Sequence, residues 1–118
     1  MKKSIGQFIM ELILGGGVIL VMAYFFDGVY IKDYKVALLV ALVLSILNTV
    51  VKPILSFIAF PITLVTLGLF QLVINGFVLS IATSVFAPDF QIESFGLTIL
   101  CSIFISIFYS FLGIGKDD

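Results

Sequence analysis

Five polar side chains stand within apolar stretches at spacings that could do chemistry: Glu11, Asn48, Lys52, Gln71 and Asn75. Asn48 and Lys52 are four residues apart, as are Gln71 and Asn75, so each pair shares one face of a helix. A carboxylate and an ammonium among amides can form an ion pair, a latch between helices or part of an ion path. We expect Glu11 and Lys52 to interact, directly or through Asn48, Gln71 or Asn75. The competing reading has Lys52 snorkelling to the headgroups and Glu11 near the interface. The amides equally suit interhelical glue. A proton or ion path needs a second titratable group farther along the spans, and the sequence offers none.

The same residues make no known nucleophile–base pair or metal-ligand set. No catalytic, cofactor-binding or metal-binding residue is therefore expected, and the chain reads as non-enzymatic. His and Arg are absent, which removes imidazole proton chemistry and bidentate phosphate clamps. The single Cys101 lies in an apolar stretch without an activating base and reads as a small buried hydrophobe. The net charge of -1 leaves no electrostatic footprint for nucleic acid.

These residues sit in a chain that is 62% hydrophobic and 11% charged. Soluble domains carry about 45–50% apolar and about 25% charged residues, so the bilayer is the first partner. The 118 residues make one domain. The N-terminal stretch has two Lys before an apolar run, like a signal peptide, but Glu11 interrupts it and no small-x-small site follows. It reads as a retained first span.

Four spans are expected, at about 5–26, 36–51, 67–87 and 95–112. The polar connections 27–35 and 88–94 then lie on one side. Lys2, Lys3, Lys52 and Lys116 fall on the other, against Lys32 and Lys35. That bias places both termini in the cytoplasm.

Residues 53–88 carry no charge. This run is too long for one span of about 20 residues and too short for two spans plus a solvated loop. The chain must turn inside or against the membrane, in an elbow at about 52–66 marked by Pro53, Pro61, Thr66 and Gly68. Either span 2 continues past Lys52, kinked by Pro53, or it stops there and residues 53–60 form a short second helix. Both readings give an all-α, integral membrane four-helix bundle of two helical hairpins, with a re-entrant or kinked elbow between spans 2 and 3.

A shift of 61 residues lays Val29, Ile31 and Tyr34 over Phe90, Ile92 and Phe95, and Gly15 over Gly76. An internal repeat would make each half an in-out-in hairpin, the two related by an axis along the membrane normal. Small residues recur every fourth position in three spans, at Ala37, Ala41, Ser45 and Thr49, at Gly76, Ser80 and Ser84, and at Thr98, Ser102, Ser106 and Ser110. Such a stripe packs helices closely within the bundle, or faces a neighbouring subunit or wet lumen.

The central motif Asn48-xxx-Lys52-Pro53-Ile-Leu, then Pro61-Ile-Thr-Leu-x-Thr66-Leu-Gly-Leu-Phe70, then Val73-Ile-Asn75, resembles the bacterial phage holin family, superfamily IV, also called YvlD-like. The later Pro88-x-Phe90-x-Ile92-x-x-Phe95 resembles it too. Lys52 departs from the Arg more frequent there, and Asp89 and Ser94 from Gly. The resemblance covers about residues 28–112. It implies four spans in the bacterial inner membrane and says little about activity. Three functions follow: a structural or accessory protein that associates with itself or a membrane-protein partner in envelope maintenance or stress, a holin-like homo-oligomeric pore, or a small ion or solute pathway.

Overall fold

The structure is a computed structural model that describes residues 4–114. Lys2, Lys3 and Lys116, which enter the charge count above, lie outside the described residues. The elements run α1 (Ile5–Phe25), β1 (Val29–Ile31), α2 (Tyr34–Ile58), α3 (Phe60–Val65), α4 (Phe70–Phe86), β2 (Phe90–Ile92) and α5 (Phe95–Leu112).

Three of these helices begin on a side-chain cap. Ser4, Asp33 and Ser94 each accept a hydrogen bond from the backbone N–H three residues on, at 3.0–3.2 Å. Such caps satisfy donors that the first helical turn leaves unpaired. Helices α1, α2 and α5 are long and apolar enough to cross a membrane. With 17 residues, α4 is shorter, at about 25 Å.

The two polar connections are not plain loops, as their composition suggests. Each holds a three-residue strand, and β1 pairs antiparallel with β2. The signal was the alternation Val-Tyr-Ile and Phe-Gln-Ile, which turns one apolar side inward. Val29 and Phe90 are buried, while Tyr30 and Gln91 are exposed. Tyr30 faces Gln91 at the centre of the ribbon. Outside the strands, the Lys32 N–H donates to the Asp89 carbonyl and the Glu93 N–H donates to the Gly28 carbonyl, both at 2.9 Å. The ribbon brings both hairpin turns to one end of the bundle.

The apolar core fills the half of the bundle next to the ribbon. Ile19, Met22, Ala37, Val40, Ala82, Phe90 and Cys101 are fully enclosed. Helix α1 buries nothing before Gly15, α2 nothing after Leu47, and α5 nothing after Ile105. Toward the other end the helices therefore part, and polar side chains occupy the space between them.

That other end is the elbow, and its path differs from the expected 52–66. Helix α2 continues through Pro53 to Ile58, so residues 53–60 are no separate helix and Pro53 does not lie in a first turn. A proline costs one ladder hydrogen bond, which a long helix packed against neighbours tolerates. The chain breaks at Ala59, and Pro61 falls in the first turn of α3, where a missing N–H is harmless. Helix α4 begins at Phe70 rather than at residue 67. Leu67 and Gly68 have positive φ, 59° and 92°, and no helix runs through them.

The exit from α3 is a Schellman turn. The Gly68 N–H donates to the Thr63 carbonyl at 2.8 Å, and the Leu67 N–H to the Leu64 carbonyl at 3.1 Å. Thr66 then starts α4 by accepting from the Phe70 N–H through Oγ1 at 3.1 Å. The fold is all-α in class, with a small ribbon closing one end and an elbow at the other.

Candidate functional site

Two adjoining cavities open where the helices part at the elbow end. The larger, of about 390 Å³, lies between α2, α4 and α5. Asn48 and Lys52 enter it from α2, Asn75 from α4, and Ser102, Ser106 and Ser110 from α5. The smaller, of about 290 Å³, lies between α1 and α2 and is lined by Glu11, Ser45, Asn48, Thr49 and Pro53. Asn48, Tyr109 and Ile114 line both, so they form the partition between them.

Helical spacing explains who arrives there. Leu44, Asn48 and Lys52 recur every fourth residue, continuing the buried face of α2 into its open half. Asn75, Val78 and Leu79 do the same on α4, and Ser102, Ser106, Tyr109 and Ser110 on α5. Each helix thus carries apolar residues on its inner face where the bundle is closed and polar ones where it is open.

The polar groups of the larger cavity are largely unspent. Asn75 Oδ1 is buried and has no hydrogen-bond partner among the described residues. Buried polar atoms are nearly always partnered, so this acceptor faces space meant for a donor. Lys52 is half-buried and pairs with no described residue. Other hydroxyls, that of Ser102 in this cavity among them, turn back on their own helix. Thr98 Oγ1 donates to the Ser94 carbonyl at 2.8 Å, Ser102 Oγ to the Ile99 carbonyl at 2.7 Å and Thr49 Oγ1 to the Ser45 carbonyl at 2.8 Å.

The five polar residues singled out in the sequence divide accordingly. Asn48, Lys52 and Asn75 share one cavity, and Glu11 faces the next across Asn48. Gln71 lines neither. It holds the elbow instead: its Nε2 donates to Ser56 Oγ at 3.2 Å, tying the last turns of α2 to the first of α4. Thr66, Gly68 and Pro61 shape the elbow backbone, and Pro53 touches the smaller cavity. The α5 stripe also divides. Thr98 and Ser102 are buried, whereas Ser106 and Ser110 are exposed on the cavity side.

Two participants escape a reading by polarity alone. Tyr109, near the end of α5, stands between the cavities. Its sequence signal was its place three residues after Ser106 on the serine face, opposite the glycine run of α1. A Cβ on Gly15 would come within 2.6 Å of the Tyr109 hydroxyl oxygen, so the ring reaches across to α1 only because position 15 is bare. Ser56 is the partner of Gln71, and only the fold brings the two together across 15 residues. Among the described residues no three His, Cys, Asp or Glu side chains gather as metal ligands.

Comparisons with known proteins agree with this architecture. The chain is 38% identical over 91 residues to the uncharacterized membrane protein YvlD of Bacillus subtilis, covering 77% of this chain and 76% of the relative. It is 29% identical over 110 residues to an uncharacterized protein of Streptomyces coelicolor, covering 86% and 88% of the two chains. No solved structure matches. Residues 6–111 match the family described as mycobacterial four-span phage holin, superfamily IV, so this membrane protein belongs to the phage holin superfamily IV family.

Proposed function

We propose that the protein is a non-enzymatic component of the bacterial cytoplasmic membrane that works by helix association, with itself or with a protein partner, in envelope maintenance or stress. The observation that carries this reading is the elbow. Helix α3 buries none of its residues. Phe57, Ile58, Val65, Leu67 and Leu69 are all at least two-thirds exposed. The backbone there is irregular at Ala59 and through 66–69, and Pro53 offers no N–H to the carbonyl of Thr49. Irregular backbone at membrane depth needs protein or a wet cavity around it. The N–H groups at 59 and 66–69 are bonded within the chain, but the apolar side chains around them are left uncovered by it, and in this reading a second protein surface covers them.

In this reading both termini and the elbow face the cytoplasm, with the ribbon outside. Lys32 and Lys35 beside the ribbon, against Lys52 toward the other end and Lys2, Lys3 and Lys116 near the ends of the sequence, support that orientation. The test is purification of the tagged protein from native membranes in mild detergent, with the mass of the complex measured. A defined homo-oligomer or a stoichiometric partner is expected. A monomer that carries nothing with it overturns the reading.

A second reading, a holin-like homo-oligomeric pore, draws on the exposure of Ser106 and Ser110 along the open side of the larger cavity. Purified oligomers should then leak dye from liposomes, and Ser106→Leu should reduce the leak. Oligomers that never conduct overturn it.

A further inference from the structure

The polar groups around the larger cavity do not satisfy one another. Asn48, Lys52, Asn75, Ser106 and Ser110 all line it, and no side chain among them forms a hydrogen bond with another described residue. One is a cation, two are hydroxyls and one presents a buried, unpartnered carbonyl oxygen. Glue between helices would show these groups bonded to each other, as Ser56 and Gln71 are. The set instead resembles a binding site, with a cation, hydroxyls and an amide oxygen converging on one space. A volume of about 390 Å³ lies within the ~300–1,000 Å³ of small-ligand pockets.

The depth of the cavity narrows the ligand. Lys52 lies six residues before the end of α2, and Asn75 five after the start of α4. At 1.5 Å per residue both are about 8–9 Å in from the helix ends on the elbow side, a depth from which the long Lys52 side chain reaches the headgroup region. An ammonium in a pocket between spanning helices at that level attracts a phosphate. Asn75 adds a second requirement. An amide oxygen accepts only, so the ligand must also bring an O–H or N–H.

We propose that this cavity binds a phosphate ester carrying a neighbouring hydroxyl, the chemistry shared by the headgroup of phosphatidylglycerol and by soluble glycerol phosphate. Lys52 takes the phosphate, the Ser106 and Ser110 hydroxyls donate to its oxygens, and Asn75 Oδ1 accepts from the hydroxyl. The site stands independently of the assembly reading above, since every residue in it belongs to one chain.

Native mass spectrometry of the full-length protein in detergent tests it, with phosphatidylglycerol, phosphatidylcholine and glycerol phosphate as probes. One phosphatidylglycerol per chain is expected to stay bound at least tenfold more tightly than phosphatidylcholine. Lys52→Met should remove that preference, Lys52→Arg should retain most of it, and Lys35→Met, at the ribbon end, should leave it intact. Lys52-dependent binding of glycerol phosphate at comparable affinity assigns the site to the soluble ligand; binding of the lipid alone assigns it to the headgroup. Circular dichroism and melting of each variant show whether it is folded. Equal retention of phosphatidylglycerol by wild type and folded Lys52→Met, with no Lys52-dependent binding of glycerol phosphate, overturns the proposal.

Discussion

The Tyr109 hydroxyl lies so close over Gly15 that a methyl group at 15 would come within 2.6 Å of it and within 3.2 Å of Ala41 Cβ. The contact joins α1, α2 and α5 at the point where the closed core gives way to the two cavities. Gly15→Ala should push the ring away and destabilise the bundle by about 1–3 kcal/mol, the usual cost of overpacking. Gly17 has nothing within 4 Å of its would-be Cβ. Gly17→Ala should therefore stabilise by about 0.5–1 kcal/mol through helix propensity alone. Melting of the two variants in the same detergent should show shifts of opposite sign.

Leu67 holds φ at 59° in the turn that ends α3, while the equivalent turn after α5 uses Gly113 at φ 78°. Both turns are closed by the same pair of backbone bonds, Gly68 N–H to Thr63 and Leu67 N–H to Leu64 in one, Ile114 N–H to Tyr109 and Gly113 N–H to Ser110 in the other. The left-handed conformation costs an ordinary residue roughly 1–2 kcal/mol and glycine almost nothing. Leu67→Gly should raise stability by about 1 kcal/mol, and Gly113→Ala should lower it by a similar amount, both read from melting. A Leu67→Gly protein that melts higher yet associates less well would show that the leucine side chain serves an interface.

The Ser56–Gln71 bond is the polar tie across the elbow. Ser56→Ala and Gln71→Leu should each destabilise modestly. The double variant should show a coupling of about 0.6 kcal/mol, typical of side-chain bonds between membrane helices. Strict additivity would mean the bond contributes nothing to holding α2 against α4.

Glu11 and Lys52 face adjoining cavities across Asn48. If they act on each other through that amide, Lys52→Met and Glu11→Gln together should be less damaging than the sum of their separate effects. Asn48→Leu should abolish the coupling, because it removes the amide that lines both cavities. Thermal stability of the four combinations, with and without the Asn48 change, reads this directly.

Much of this was legible in the chain because membranes impose simple rules. A charge-free run of residues 53–88 had to contain a turn, and Pro61 and Gly68 mark where it lies. What escaped depended on neighbours the sequence does not order. Pro53 leaves open whether span 2 stops or continues, and α2 runs through it because a long helix tolerates one lost bond. The ribbon strands are three residues each, too short for a strand pattern to stand out among turn residues. Gln71 and Asn75 share a helix face, yet one meets Ser56 and the other meets a cavity. That divergence arises from where α2 ends, which local spacing cannot give.

The ribbon has a mechanical consequence for the whole bundle. Tyr30 and Gln91, which face each other at its centre, are 61 residues apart, and adding or subtracting that offset turns the Lys32–Asp89 bond into the Glu93–Gly28 bond. The two hairpins are thus pinned together about a local two-fold axis at one end, while at the other α3 and its flanking turns join them. The molecule is built like a clothes-peg. Spreading its jaws at the elbow end would break the Ser56–Gln71 bond but no ribbon bond, and would widen the gap beside Lys52. Whatever grips or fills the elbow end therefore sets the aperture for the entire chain.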